Sequence, residues 1–142
     1  MVSELNKIKF YKQSIIKVEG GDIYHVIKKS NHPNFQFGEA YFSFVDYKFI
    51  KGWKLHKKMI SNFCVPKGEV EFVFVSKDFK DSRTILLGEQ EYGRLYVPPN
   101  IWYSFKGISK TQSLILNLSS IEHDENEIIK INLEDFPLKI NI

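Results

Sequence analysis

The stretch YFSFVDYKFIKGWKLHKKMISNFCVPKGEVEFVFV, residues 41–75, decides how the chain folds. It is rich in aromatic and β-branched residues, and its apolar and polar positions alternate with the period of an extended chain buried on one face. Gly52 permits a bend between strand segments. Pro66, Lys67 and Gly68 supply a tight connection between two further strands, read as a hairpin. The alternation places Phe42, Phe44, Phe72 and Phe74 in the core. Lys54 and His56 lie two apart, so in a strand they look toward the same face.

Outward from this stretch the same pattern continues. KIKFYKQSIIKV (7–18) alternates loosely, and GGDIYHVIKK (20–29) follows a Gly-Gly turn. RTILL (83–87), GRLYVPP (93–99), IWYSFKG (101–107) and QSLILNLSS (112–120) read as four more short strands, the last adding Leu114 and Leu116 to the expected core. Turn signals recur about every ten residues, the spacing of a sandwich or barrel. The acidic IEHDENEI (121–128) is the one place for a helical turn. The expected architecture is a single all-β domain over 1–142, a jelly-roll barrel with a short polar C-terminal tail.

Composition agrees and narrows the function classes. A chain of 142 residues has room for one core, and 15% aromatic content with Ala40 as the sole alanine disfavours long helices. The net charge of +3 is carried by lysines mixed with acids, with Arg83 and Arg94 the only arginines. That is not the basic stripe of a nucleic-acid binder, although it suits a small anionic ligand. Cys64 stands alone, which excludes an internal disulfide and a cysteine-based zinc site. With no signal-like or membrane-length apolar run, a soluble cytoplasmic protein is expected.

GWKLHKK, VPKGEV, YVPPNIWYSF and LILNLSS, in that order, resemble the blocks of the cupin dTDP-4-dehydrorhamnose 3,5-epimerase family over residues 38–137. GWKLHKK and YVPPNIW are also similar to the related dTDP-4-keto-6-deoxyhexose 3,4-ketoisomerases. The resemblance implies a double-stranded β-helix, a nucleotide-sugar substrate, proton abstraction beside a ketone, no metal or organic cofactor, and a homodimer that shares or exchanges N-terminal strands. Asn100 stands where the family has Gly, and Asn is the residue that best tolerates the positive φ of that turn.

The same alignment implies altered site residues. The epimerase base falls on Lys54 and the second histidine of the pair on His56, which is retained. The histidine of the PPGVWHGF block falls on Tyr103, the arginine before Gly on Lys51, and the acid tyrosine near Glu122, beside His123. His56, Lys54 and Tyr103 are thus the expected catalytic set, and Lys51, Ser43, Trp102, Asn117 and Glu122 the expected substrate contacts. Three readings of Lys54 stand open: a rim lysine, a pocket cation, or a base whose pKa burial lowers. His56 is either a pocket residue or a structural histidine. Lys57 and Lys58 belong in solvent. One surviving histidine of the metal-binding cupin set is too few for a catalytic metal. The expected function is a nucleotide-sugar epimerase or isomerase; the alternatives are a cupin that binds such a sugar without turning it over, or a partner of a polysaccharide-synthesis enzyme.

Overall fold

A computed structural model describes residues 3–139, and its strands are β1 (Lys9–Lys12), β2 (Ile15–Ile16), β3 (Ile23–Tyr24), β4 (Glu39–Val45), β5 (Ile50–His56), β6 (Ser61–Lys67), β7 (Glu69–Ser76), β8 (Ser82–Gly88), β9 (Gly93–Val97), β10 (Ile101–Gly107), β11 (Ser113–Ser119) and β12 (Ile128–Lys130). The only helical elements among the described residues are short 3-10 turns at Glu4–Lys7, Glu125–Glu127 and Leu133–Asp135. None is long and apolar enough to cross a membrane.

Two five-stranded antiparallel sheets face each other in the orders β1-β9-β6-β11-β4 and β12-β5-β10-β7-β8, and β2 and β3 form a separate small ladder. This is the expected jelly roll. The Pro66–Gly68 connection is not a hairpin, however. β6 pairs with β9 and β11, while β7 pairs with β8 and β10, so the chain crosses there from one sheet to the other. Gly68 takes φ +82° at this corner, and a Cβ on it would meet the Ser113 side chain. The connection is shorter than read: Pro66 and Lys67 belong to β6, and Gly68 alone separates it from β7.

The main core lies between the sheets and includes Phe63, Val65, Val70, Phe72, Phe74, Leu95, Ile101 and Ile115. Phe72 and Phe74 are buried as expected. Phe42 and Phe44 are not: they are 63% and 53% exposed, and Leu114 and Leu116 are only half-buried. On β11 the inward positions are Ser113, Ile115, Asn117 and Ser119, and the register pairs Leu116 with Phe42 and Leu114 with Phe44 on the opposite face. Phe42, Phe44, Leu114 and Leu116 therefore face outward; on the inner face Val45 and Ile115 join the packed core, while Tyr41, Ser43 and Asn117 border a polar cavity.

A second cluster covers the outside of the other sheet. Trp53, Leu55, Val73, Val75 and Trp102 are capped by Phe136 from the C-terminal segment. The Phe136 ring stacks on Trp53 at 3.9 Å between centroids and meets Trp102 edge-on at 5.7 Å. Both tryptophans of the chain therefore report on this cap. Phe136→Ala is expected to cost about 3 kcal/mol in chemical denaturation and to shift tryptophan emission to the red, as for a large aromatic removed from a packed site.

Candidate functional site

The site is set by one irregularity in β5. Opposite β10, Tyr103 pairs with Lys54 and Ser104 with Gly52, so one extra residue, Trp53, is inserted in β5. Gly52 takes φ +141°, and a Cβ there would lie 2.4 Å from the Ser104 Cβ. A bulge of this kind re-aims every side chain beyond it. Before it, Lys51 shares the inner face with Phe105; after it, Trp53 and Leu55 enter the outer cluster while Lys54 and His56 turn inward. Asn100, at φ 67°, closes the neighbouring turn as its residue type allows, and its N–H donates to the His56 carbonyl at 2.7 Å.

Two adjoining cavities occupy the barrel's open end. The inner one, about 150 Å³, is lined among others by Ser43, Lys51, Lys54, Tyr103 and Asn117. The outer one, about 340 Å³, is lined by Glu39, Tyr41, Lys54, His56, Met59, His123 and Ile128. Tyr41 and Lys54 belong to both. Lys54 and His56 thus share a cavity wall, as their spacing requires.

His56 is buried between two partners. Its Nδ1 lies 2.5 Å from Glu127 Oε1, and its Nε2 lies 3.3 Å from the Tyr103 hydroxyl. The second Glu127 oxygen accepts the backbone N–H groups of Lys58 and Met59 at 3.1 and 3.2 Å. An ionised carboxylate only accepts, so Nδ1 carries a proton, and in the neutral imidazole Nε2 is then the basic nitrogen. Burial works against the Glu127 charge, but the bonds from His56, Lys58 and Met59 outweigh it and hold the carboxyl below its ordinary pKa. Burial, reinforced by Tyr41 and Glu127, pushes the Tyr103 phenol well up, so it stays protonated. Burial, then the neighbouring Lys130 and Lys51, pull the Lys54 ammonium down, although its side chain remains exposed at the rim.

The remaining expected residues divide. The Lys51 ammonium donates to the Phe44 carbonyl at 2.6 Å, bridging the two sheets at the cavity. Asn117 is buried, donates to the Tyr41 hydroxyl at 2.9 Å and accepts the Asn62 N–H at 3.3 Å. Trp102 lies on the opposite face of β10 from Tyr103, in the outer cluster, and does not reach the cavity. Glu122 is exposed and lines neither cavity, whereas His123 lines the outer one and contacts Glu125. Lys57 and Lys58 are exposed. The acid that reaches the site is Glu127. It is carried there because β12 pairs with β5 and sets Ile128 opposite His56. Its one local signal is its place just before the β-branched pair Ile128–Ile129. Among the described residues, no three His, Cys, Asp or Glu side chains are grouped to hold a metal.

A family profile described as FdtA: WxcM-like, C-terminal, matches residues 6–139, and the chain belongs to this family. No curated protein sequence matches. Among solved structures the chain is similar to a dTDP sugar isomerase from Desulfovibrio desulfuricans G20, with 27% identity, a TM-score of 0.88, and 98% of this chain and 94% of that one covered. It also shares its fold with QdtA, a sugar 3,4-ketoisomerase from Thermoanaerobacterium thermosaccharolyticum in complex with TDP, at 23% identity and TM-score 0.75 over 92% and 91% of the chains. A dTDP-4-dehydrorhamnose 3,5-epimerase from Sulfolobus tokodaii matches in fold at 20% identity and TM-score 0.76, over 93% and 82%.

The depressed Glu127 pKa has a pH consequence. Because the folded value lies below the ordinary 4.5, the carboxylate's stabilisation is complete above that pH and is lost as pH falls through the folded value. Glu127→Gln is expected to flatten this part of the acid limb in urea-denaturation midpoints measured from pH 7 down to about 3. An unchanged acid limb contradicts the assignment.

Proposed function

We propose that the chain enolises a dTDP-4-keto-6-deoxyhexose in the barrel cavity, as a sugar ketoisomerase does. The observation that carries this reading is the hydrogen-bonded series Glu127–His56–Tyr103 opening onto a cavity edged by two lysines. Abstraction of a proton beside a ketone needs a base held in one orientation, and in its neutral form His56 offers Nε2 as that base. The carbon-bound proton passes to Nε2, and the bond's electron pair moves onto the ketone oxygen as an enolate. Glu127 steadies the resulting imidazolium through Nδ1. Tyr103, kept protonated, donates to the enolate oxygen, and the Lys54 ammonium offsets the developing negative charge. Return of the proton from Nε2 to the former carbonyl carbon, with the adjacent hydroxyl proton passing by way of Tyr103 to the former ketone oxygen, moves the keto group by one position.

Support for the substrate class comes from the family and from the dTDP-sugar isomerase that the chain resembles at 27% identity. Lys51 and Lys54 suit the diphosphate or the ketone oxygen, as point charges rather than bidentate forks. Ser43 and Asn117, which line the inner cavity, are assigned in this proposal to orienting the sugar. The assignment of His56, Lys54 and Tyr103 as catalytic is part of this proposal. The substitution of lysine for the family's first histidine favours a second reading, in which the cavity binds the nucleotide sugar without turning it over. A homodimer is also part of the proposal, supported by the uncovered apolar face of Phe42 and Phe44 on β4.

Incubation with dTDP-4-keto-6-deoxyglucose in D₂O is expected to place deuterium at ring carbons beside the ketone, read by mass spectrometry and NMR. His56→Asn should abolish the exchange, and Tyr103→Phe should slow it about 10²-fold or more. Lys54→Met should raise KM if the lysine serves the diphosphate and lower kcat if it serves the enolate. Nucleotide-sugar binding without any exchange identifies the binding module instead.

A further inference from the structure

Arg94 lies on the other side of the first sheet from the barrel cavity. Its neighbours in β9, Leu95 and Val97, point into the main core, so Arg94 and Tyr96 point outward. Although outward, Arg94 is only 1% exposed, because the segment between β3 and β4 folds over it. Its Nε donates to the Val26 carbonyl at 3.1 Å, Nη1 to Asn62 Oδ1 at 2.5 Å and Nη2 to His32 Nε2 at 2.7 Å. The guanidinium carbon sits 4.7 Å from the centre of the Tyr11 ring.

All of these partners are neutral. Among the described residues no carboxylate pairs with Arg94. A buried guanidinium without a counter-charge is costly, and proteins ordinarily give it one. Its fork also has five N–H groups, of which these bonds occupy three. The group lines a cavity of about 360 Å³ with Tyr11, Asn34, Gln36, Tyr96 and Ser120. Those side chains offer hydroxyl and amide groups and no negative charge, and burial pulls the Arg94 pKa down, as expected where no anion answers it.

We propose that this cavity is a second binding site, for a small oxyanion of the phosphoryl or carboxylate class, with Arg94 as its principal donor. An anionic oxygen is a stronger partner for the fork than the imidazole nitrogen now facing Nη2. The anion takes the two free N–H groups and displaces His32, whose loop turns on backbone bonds from His32 to Lys28 and Lys29 and from Phe35 to His32. The site is independent of the chemistry at His56, which belongs to the other sheet and faces the barrel cavity between the two.

The test uses the two arginines as internal reference. In ¹⁵N-labelled protein the Nε–H signals of Arg83 and Arg94 are followed while inorganic phosphate, acetate or chloride is added at constant ionic strength, with Arg83→Lys fixing the assignment. A saturable shift of the Arg94 signal with phosphate or acetate, Arg83 staying put, is the expected result, and which anion acts gives the class. Asn62→Asp places a carboxylate at the position already bonded to Nη1 and should weaken the response at least about tenfold while leaving the protein folded and no less stable. His56→Asn should leave the response intact, which separates this proposal from the barrel chemistry. No shift with either oxyanion, an equal shift with chloride, or an undiminished response in Asn62→Asp overturns it.

Discussion

One inserted residue governs what the molecule can do. Without the bulge at Gly52–Trp53, strict alternation from Lys51 would point Lys54 and His56 outward and turn Trp53 and Leu55 into the barrel. With it, the indole and the leucine cap the outside of the sheet and the imidazole and ammonium line the cavity. The absence of a side chain at Gly52 makes this possible, since the Ser104 Cβ occupies the space a Cβ would need. Core, cap and site are therefore one arrangement rather than three.

The C-terminal segment completes that arrangement from both sides. β12 lies along β5, Glu127 reaches His56 just before it, and Phe136 closes over the tryptophans just after it. Glu127 is 71 positions from its partner, yet its carboxylate selects the tautomer that leaves Nε2 basic. The backbone N–H groups of Lys58 and Met59 fix the carboxylate in turn, so the orientation of the imidazole is inherited from the turn that follows β5.

How much of this could be read beforehand depended on whether the signal was local. The period of two gave the strands and the shared face of Lys54 and His56, and the block order implied the jelly roll. Lys51, Ser43, Tyr103 and Asn117 reach the expected cavity. Trp102 did not, because adjacent strand residues face opposite ways and Tyr103 took the inner position. Phe42 and Phe44 were misplaced by a rule that assumes the inner face is the greasy one. In β4 and β11 the inner face carries Tyr41, Ser43, Asn117 and Ser119, and that inversion is itself the mark of a strand bordering a ligand cavity. Glu127 escaped because only pairing between distant strands brings it to His56, and its place before Ile128–Ile129 is too slight a signal to rank it above Glu122. The parting of β6 from β7 was equally invisible, since a tight turn does not say which neighbours its strands will choose.

The sole cysteine, Cys64, adds a practical property. It sits in β6 almost fully enclosed, and burial pushes its thiol up to about 11. Thiolate is the reactive form, so at neutral pH this sulfur is nearly inert toward alkylating reagents. The native protein therefore offers a silent background for maleimide chemistry. A single cysteine introduced at exposed His123, which lines the outer cavity, would carry a fluorophore or spin label to the cavity mouth without competition from the chain's own sulfur.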